Sequence, residues 1–190
     1  MTKIISGKYK GRSLIVPPSV TRPTSSRVRE AVLSSVQHQL GDFAGLQILD
    51  LFAGSGALGF EALSRGAGKC VFVEKDSVAA TCINQNARTL SETNYTVLTQ
   101  DAFVLAESSA SNQFDVLFLD PPYALADGEI ETLLGNLAKN DWLNADCLVV
   151  VERAAKSRLV WPNEFEILTS KTYGDTSIWY GLYVADRVEA

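Results

Sequence analysis

The 190-residue sequence predicts a doubly wound α/β fold, a mostly parallel sheet with crossover helices that closes in an antiparallel hairpin. Three observations carry that reading. From residue 47 onward, apolar runs of strand length alternate with longer segments of helical periodicity, the pattern that parallel strands and their crossovers impose. Gly54, Gly56 and Gly59 spell GxGxxG at the first junction between such a run and a helix. After residue 163 the alternation stops, and two strand-like runs flank Tyr173-Gly174-Asp175, residue types suited to a tight turn.

Taken in chain order, Lys3-Ser6 and Arg12-Val16 read as a small hairpin around a Gly7 to Gly11 turn, stopped by Pro17-Pro18. Thr24 to Ser26 offer caps for a helix from Arg27 to Leu40, whose Val28, Val32, Val36 and Leu40 form an apolar stripe. The main strands are expected at Gln47-Phe52, Lys69-Glu74, Thr96-Gln100, Phe114-Leu119 and Cys147-Glu152. Helices fill the gaps at Ala57-Arg65, Ser77-Leu90, a short piece after Asp101, and Ile130-Lys139, where Ile130, Leu133, Leu134 and Leu137 share a face. Phe165-Lys171 and Ser177-Val184 complete seven strands. The expected organisation is a basic N-terminal extension, 1-42, followed by a domain spanning 43-190.

Composition narrows the functional classes. No apolar stretch approaches the roughly 20 residues of a membrane helix, and Met1 to Gly11 is polar and basic apart from Ile4-Ile5, unlike a signal peptide. A soluble, cytoplasmic protein is expected. Cys70, Cys82 and Cys147 are widely spaced and form no C-x-x-C pair, so neither a disulfide framework nor a metal site is expected. The net charge of -5 conceals an asymmetry. Residues 1 to 30 hold seven of the 17 basic side chains and one of the 22 acids, leaving ten basic and 21 acidic groups for the other 160 residues. A basic arm on an acidic body suggests a polyanionic partner.

The glycine loop stands between a hydrophobic strand and a helix, the context that gives GxGxxG its meaning as a ligand loop. Glu74 ends the next strand, where its carboxylate suits the two hydroxyls of a ribose. Asp50, Asp101 and Asp120 fall near the ends of other parallel strands, so one acidic crevice is expected along that edge. An acidic rim favours a ligand that carries cationic groups. S-adenosylmethionine has a sulfonium and an ammonium, whereas a nicotinamide dinucleotide has a pyrophosphate.

Phe114-Asp115-Val116-Leu117-Phe118-Leu119 runs directly into Asp120-Pro121-Pro122-Tyr123. Two prolines remove two N-H donors and stiffen the turn, leaving the Asp120 carboxylate and the Pro121 carbonyl as acceptors. Two acceptors suit one NH2 group. The lone pair of an aromatic amine is delocalised into its ring, and holding both N-H bonds favours a pyramidal, nucleophilic nitrogen. Tyr123 supplies a platform on which a base turned out of its helix could stack.

Asp50-Leu51-Phe52-Ala53-Gly54-Ser55-Gly56 with Asp120-Pro121-Pro122-Tyr123 resembles the class I amino-methyltransferases of nucleic acids. With Gly7-Lys8-Tyr9-Lys10-Gly11-Arg12, Arg22-Pro23-Thr24 and Arg27-Val28-Arg29-Glu30, nearly the whole chain resembles the RsmD family. The resemblance implies a Rossmann-like methyltransferase fold and transfer of a methyl group from S-adenosylmethionine to guanine N2 in 16S ribosomal RNA, leaving S-adenosylhomocysteine. It further implies that Gly54, Gly56 and Glu74 hold the donor, with Asp50, Phe52, Ala53 and Lys75 beside them, that Asp101-Ala102 meet its adenine, and that Asp120 to Tyr123 hold the target base. The partner is ribosomal RNA or an assembling small subunit, with no metal and no membrane. Leu33-Ser34 depart from the family pattern, which often has Phe-Asn there.

The basic arm presents Lys8, Tyr9, Lys10 and Arg12 for phosphates and one stacked base, joined by Arg22, Arg27 and Arg29. Arg27 and Arg29 stand at a helix start, where cations oppose the dipole, a placement more useful to a ligand than to the helix. His38 is expected to be incidental, and Trp142, Trp161 and Trp179 to pack rather than bind. The Tyr173-Gly174-Asp175-Thr176 turn could equally line the base pocket or serve only as a turn. Adenine N6 and a protein glutamine offer the same NH2 chemistry. A nicotinamide reductase shares the glycine loop but lacks a Tyr-x-x-x-Lys proton donor, and a non-catalytic RNA-binding module would not require an intact Asp120-Pro121-Pro122-Tyr123.

Overall fold

The computed structural model describes residues 1–18 and 25–185, so Arg22-Pro23-Thr24 lies outside the described residues. Seven strands make the mostly parallel sheet with its closing antiparallel hairpin. The chain divides into two compact units, Met1–Asp101 and Ala102–Ala190, and the basic extension is built into the first.

In the first unit, β3 (Gln47–Leu51), β4 (Lys69–Val73) and β5 (Tyr95–Leu98) pair in parallel in the order β5-β4-β3. The crossovers are α2 (Ala57–Ser64) and α3 (Ser77–Leu90). Ile48, Leu49, Leu51, Phe72 and Val73 are closed to solvent, as expected for parallel strands covered on both faces. Before them, α1 (Ser26–Leu40) starts where the Ser25 hydroxyl accepts from Val28 N at 3.2 Å and stops at Gly41, φ +87. Its buried stripe is Val28, Val32, Leu33 and Val36. Leu33 is therefore core, and Ser34 is exposed.

The N-terminal hairpin is shorter than its sequence suggests, with only β1 (Thr2–Lys3) pairing β2 (Ser13–Leu14). Beyond that pair, Ile4 N donates to the Arg12 carbonyl and Gly11 N to the Ile4 carbonyl, and three further N-H groups go to helix side chains. Ile5 N donates to Glu61 Oε1 at 2.7 Å, Tyr9 N to Ser64 Oγ at 2.9 Å, and Ile15 N to Asn86 Oδ1 at 2.8 Å. Gly7 has φ +80, and a Cβ there would lie 1.9 Å from the Ser64 carbonyl oxygen, so only glycine lets the turn press onto α2.

In the second unit, α4 (Ala102–Ala106) precedes β6 (Phe114–Leu119). β6 pairs in parallel with β7 (Leu143–Ala154), and β7 pairs antiparallel with β9 (Thr176–Tyr183), which pairs with β8 (Phe165–Tyr173). β7 begins before the expected Cys147 because a register shift between Phe114 and Val116, with Asp146 at φ 63, admits polar residues. Asn144 donates to Asp115 Oδ1 across that irregularity at 2.7 Å. Between them, α5 (Asp127–Lys139) buries Ile130, Leu133, Leu134 and Leu137, the face that periodicity predicts. It starts three residues before Ile130 because Glu129 Oε2 reaches back to Ala126 N at 2.7 Å. Trp142 stacks on Phe114 and Trp161 packs on Phe165, both buried.

Among the described residues, no helix is long and apolar enough to cross a membrane.

Candidate active site

The loop that follows β3 carries an unusual backbone. Phe52, Gly54 and Gly56 all have positive φ, at 61°, 55° and 75°. For a bulky residue such as Phe52 this conformation is strained, and it persists only where neighbouring contacts over-determine it. Those contacts are present. Ala53 N donates to the Val73 carbonyl at 3.1 Å, Gly54 N to Glu74 Oε2 at 2.8 Å, and Gly56 N to the Ala53 carbonyl at 2.7 Å. A Cβ on Gly56 would lie 2.8 Å from the Phe60 ring. Gly59 serves packing, because a Cβ there would stand 2.3 Å from the Phe72 ring and 2.5 Å from the Cys70 sulfur.

The acids of this unit divide into two kinds. Asp50 is 2% exposed, and its Oδ2 accepts from Gly59 N at 3.0 Å, in the first turn of α2. It therefore caps the helix that the loop feeds, rather than standing on an open rim. Glu74 is half-buried, with Oε2 on Gly54 N and Oε1 on Asp76 N, each at 2.8 Å. An ionised carboxylate has about four acceptor positions, so Glu74 can hold the loop and still accept from a diol. Lys75 is exposed and lies 3.9 Å from Asp101 Oδ2, while Ala102 is buried at the start of α4. This donor set fits the ribose and amino-acid parts of S-adenosylmethionine: an acid at the second strand end and close-approaching loop amides at the first.

In the second unit, Asp120 follows β6 directly and is half-buried, Pro121 is buried, and Pro122 and Tyr123 are exposed. The Tyr123 hydroxyl lies 2.8 Å from Thr176 Oγ1 and donates to Glu152 Oε1 at 3.3 Å. The turn that sequence left undecided is thus attached to the Asp-Pro-Pro-Tyr motif through Thr176, the first residue of β9. Downstream, Arg153 is 2% exposed, pairs with Asp127 Oδ1 at 3.0 Å and donates to the Leu125 carbonyl, which holds the chain leaving the motif.

The basic arm is not uniformly available to a ligand. Arg29 is 1% exposed, 3.3 Å from Glu61 Oε1 and 2.7 Å from the Lys3 carbonyl, so its place near a helix start is explained by a buried ion pair. The expectation that Arg29 meets RNA is corrected on that ground. Lys8 pairs with Glu92 at 2.9 Å, Tyr9 donates to the same carboxylate at 3.1 Å, and Arg12 donates to the Thr89 carbonyl. Burial alone would push Lys8 down. Its hydrogen bonds to Glu92 and Tyr9 outweigh that and leave it raised, and burial raises Tyr9. Burial alone would raise Glu92, but N-H groups of Asn94 and Thr93, with Lys8, hold it below the usual carboxylate value. Lys10 and Arg27 are exposed.

Sequence reading missed Asn86 and Glu152, and left the turn that ends in Thr176 undecided. Asn86 had a signal: it occupies a position on the buried face of α3 beside Cys82, Ile83, Ala87 and Leu90, where an amide needs a reason to be. Glu152 had none beyond its place at the end of an expected strand. Burial pushes the Cys70 and Cys147 thiols up, which keeps them protonated and unreactive. Among the described residues, no group of three or more His, Cys, Asp or Glu is placed to hold a metal.

A parallel sheet closed by an antiparallel hairpin, with a glycine loop after one strand and an acid after the next, defines the Rossmann-like class I methyltransferase fold. The family model described as "Conserved hypothetical protein 95" matches residues 2–182. The chain is 37% identical over 185 residues to ribosomal RNA small subunit methyltransferase D of Haemophilus influenzae, covering 95% of this chain and 92% of that protein. It is 35% identical over 184 residues to the protein of that name from Escherichia coli K12, covering 95% and 88%. The solved structure of the Escherichia coli yhhF protein matches with a TM-score of 0.83 at 31% identity, covering 97% of this chain and 99% of that one. The chain belongs to the RsmD family of methyltransferases.

Proposed function

We propose that this protein transfers the methyl group of S-adenosylmethionine to the exocyclic N2 amine of a guanine in small-subunit ribosomal RNA. The observation that carries the reading is the half-buried Asp120 at the end of β6, followed by two prolines that offer carbonyls and no N-H. The names of the relatives support methyl over hydride transfer, and ribosomal RNA over a protein glutamine; between guanine N2 and adenine N6 the test below decides.

S-adenosylmethionine supplies an electrophilic methyl group on a good sulfonium leaving group. What the chain must add is alignment and nucleophilicity. The Asp120 carboxylate and the Pro121 carbonyl accept the two N-H bonds of the amine, which frees its lone pair to form the new N-C bond. The nitrogen then gives up one proton, for which Asp120 is the assigned acceptor. Tyr123 supports the base by stacking. Asp50 and Glu74 act earlier, fixing the loop and accepting from the donor's diol. Lys10 and Arg27, with Lys8 and Arg12, neutralise RNA phosphates. No step needs a metal, and the reaction belongs in the cytoplasm with the assembling subunit.

The test is incubation with labelled donor and small-subunit particles that lack the modification, followed by nucleoside mass analysis. N2-methylguanosine is expected. Label in N6-methyladenosine, or none in RNA, would overturn the target assignment.

A further inference from the structure

Asn86 lies on α3, which neither the glycine loop nor the Asp-Pro-Pro-Tyr motif includes, and it is closed to solvent. Its side-chain amide is used completely. Oδ1 accepts from Ile15 N at 2.8 Å, while Nδ2 donates to the Ile15 carbonyl at 2.9 Å and to the Ser55 carbonyl at 3.1 Å. The amide thus pairs with both backbone groups of Ile15, as a neighbouring strand would, and gives its other N-H to the glycine loop. The orientation is fixed by chemistry. A flipped amide would set its oxygen against two carbonyls and its NH2 against an N-H.

Ser55 is the loop residue between Gly54 and Gly56, and the peptide joining it to Gly56 is held at both ends. Its carbonyl accepts from Asn86, and its N-H donates to the Ala53 carbonyl at 2.7 Å. The basic hairpin meets α2 through Glu61 and Ser64, but it reaches the loop itself through Asn86.

We infer that Asn86 is a positioning residue that sets the donor loop from the N-terminal arm, so that donor affinity depends on the arm being seated and RNA on the arm tightens donor binding. The inference rests on reading Gly54 to Gly56 as the donor loop. A strained loop with left-handed residues at 52, 54 and 56 adopts its binding conformation only while its peptides are held, and a loop that must be ordered on binding weakens affinity. Because binding linkage is reciprocal, whatever RNA adds to donor affinity the donor adds to RNA affinity.

The test uses the full chain with S-adenosylmethionine, S-adenosylhomocysteine and a small-subunit RNA fragment. Asn86→Asp keeps the acceptor for Ile15 N but loses both donors, and Asn86→Ala removes the joint. Ile15→Pro removes only the N-H on the arm side and leaves Asn86 bonded to Ser55. In variants that still unfold cooperatively, the donor Kd is expected to rise about tenfold, the equivalent of about 1.4 kcal/mol. KM for the donor should rise with it, Kd for RNA measured without donor should stay unchanged, and the mutual tightening of donor and RNA should shrink towards none. A purely structural role would lower Tm and leave the donor Kd of the folded protein unchanged. A donor Kd within twofold of the parent in a folded Asn86 variant overturns the proposal. Should both Asn86 variants fail to fold, Ile15→Pro decides by the same criterion. A parent protein that binds no donor at all would instead overturn the reading of the loop.

Discussion

The hydroxyl of Tyr123 stands 2.8 Å from the hydroxyl of Thr176, which joins the Asp-Pro-Pro-Tyr turn to the start of β9. On the proposed function Tyr123 stacks on the target base, which works best when its ring is held, and this bond, with the one to Glu152, holds it. Tyr123→Phe is therefore expected to cost a few-fold to tenfold in kcat, in line with about 0.5–1.5 kcal/mol for one hydrogen bond. Thr176→Val should cost a similar factor, and the double variant no more than either alone. Tyr123→Ala should lose far more. Single-turnover kinetics on unmodified subunits measures all four, and additive single losses would show that the two hydroxyls act separately.

Asp120→Ala should remove most methyl transfer while leaving fold and donor affinity nearly intact. Deleting one preorganised electrostatic interaction typically costs on the order of 10²–10³ in rate. Asp120→Asn should be milder, because its amide oxygen still accepts one N-H. Rates within a few-fold of the parent for Asp120→Ala would remove this residue from the chemistry.

Two arginines two residues apart in α1 should behave in opposite ways. Arg29→Ala leaves Glu61 buried and unpaired, and breaking a buried pair in this way costs about 3–5 kcal/mol, so thermal unfolding should fall sharply. Arg27→Ala, with Lys10→Ala, should leave stability nearly unchanged and lower the salt slope of RNA binding by about one unit for each phosphate that is no longer neutralised. Filter binding across a salt series separates the two effects. An unchanged slope would make Lys10 and Arg27 solvated side chains only.

The cluster that holds the hairpin should lose its contribution at both ends of the pH scale. Glu92 is depressed in the folded state, so its stabilisation is present above its ordinary value of 4.5 and lost as pH falls through the lower folded value. Lys8 and Tyr9 are raised, so theirs is present below 10.5 and 10.0 and lost as pH rises through the higher folded values. Tm of the parent and of Glu92→Gln should differ most between those limits and converge beyond them. A constant difference across the range from strongly acidic to strongly alkaline pH would exclude the cluster as its source.

Local chemistry was enough to set the order of strands and helices, the loop at Gly54 to Gly59 and the Asp120-Pro121-Pro122-Tyr123 turn that ends β6. Apolar runs of strand length, glycine where the chain must turn left-handed and proline where donors must be absent are all written in neighbouring residues. The basic arm was legible too, because charge is countable along a chain. The task of each charge, by contrast, came from the packed fold. Asp50 and Arg29 looked like site residues, yet one caps α2 and the other pairs with Glu61, partners nine and 32 positions away. Asn86 reaches 31 residues back to Ser55 and 71 back to Ile15, and Tyr123 reaches 53 forward to Thr176. Such bonds are set by which faces the packed elements bring together, and a side chain's neighbours across such separations leave no trace in local periodicity or spacing.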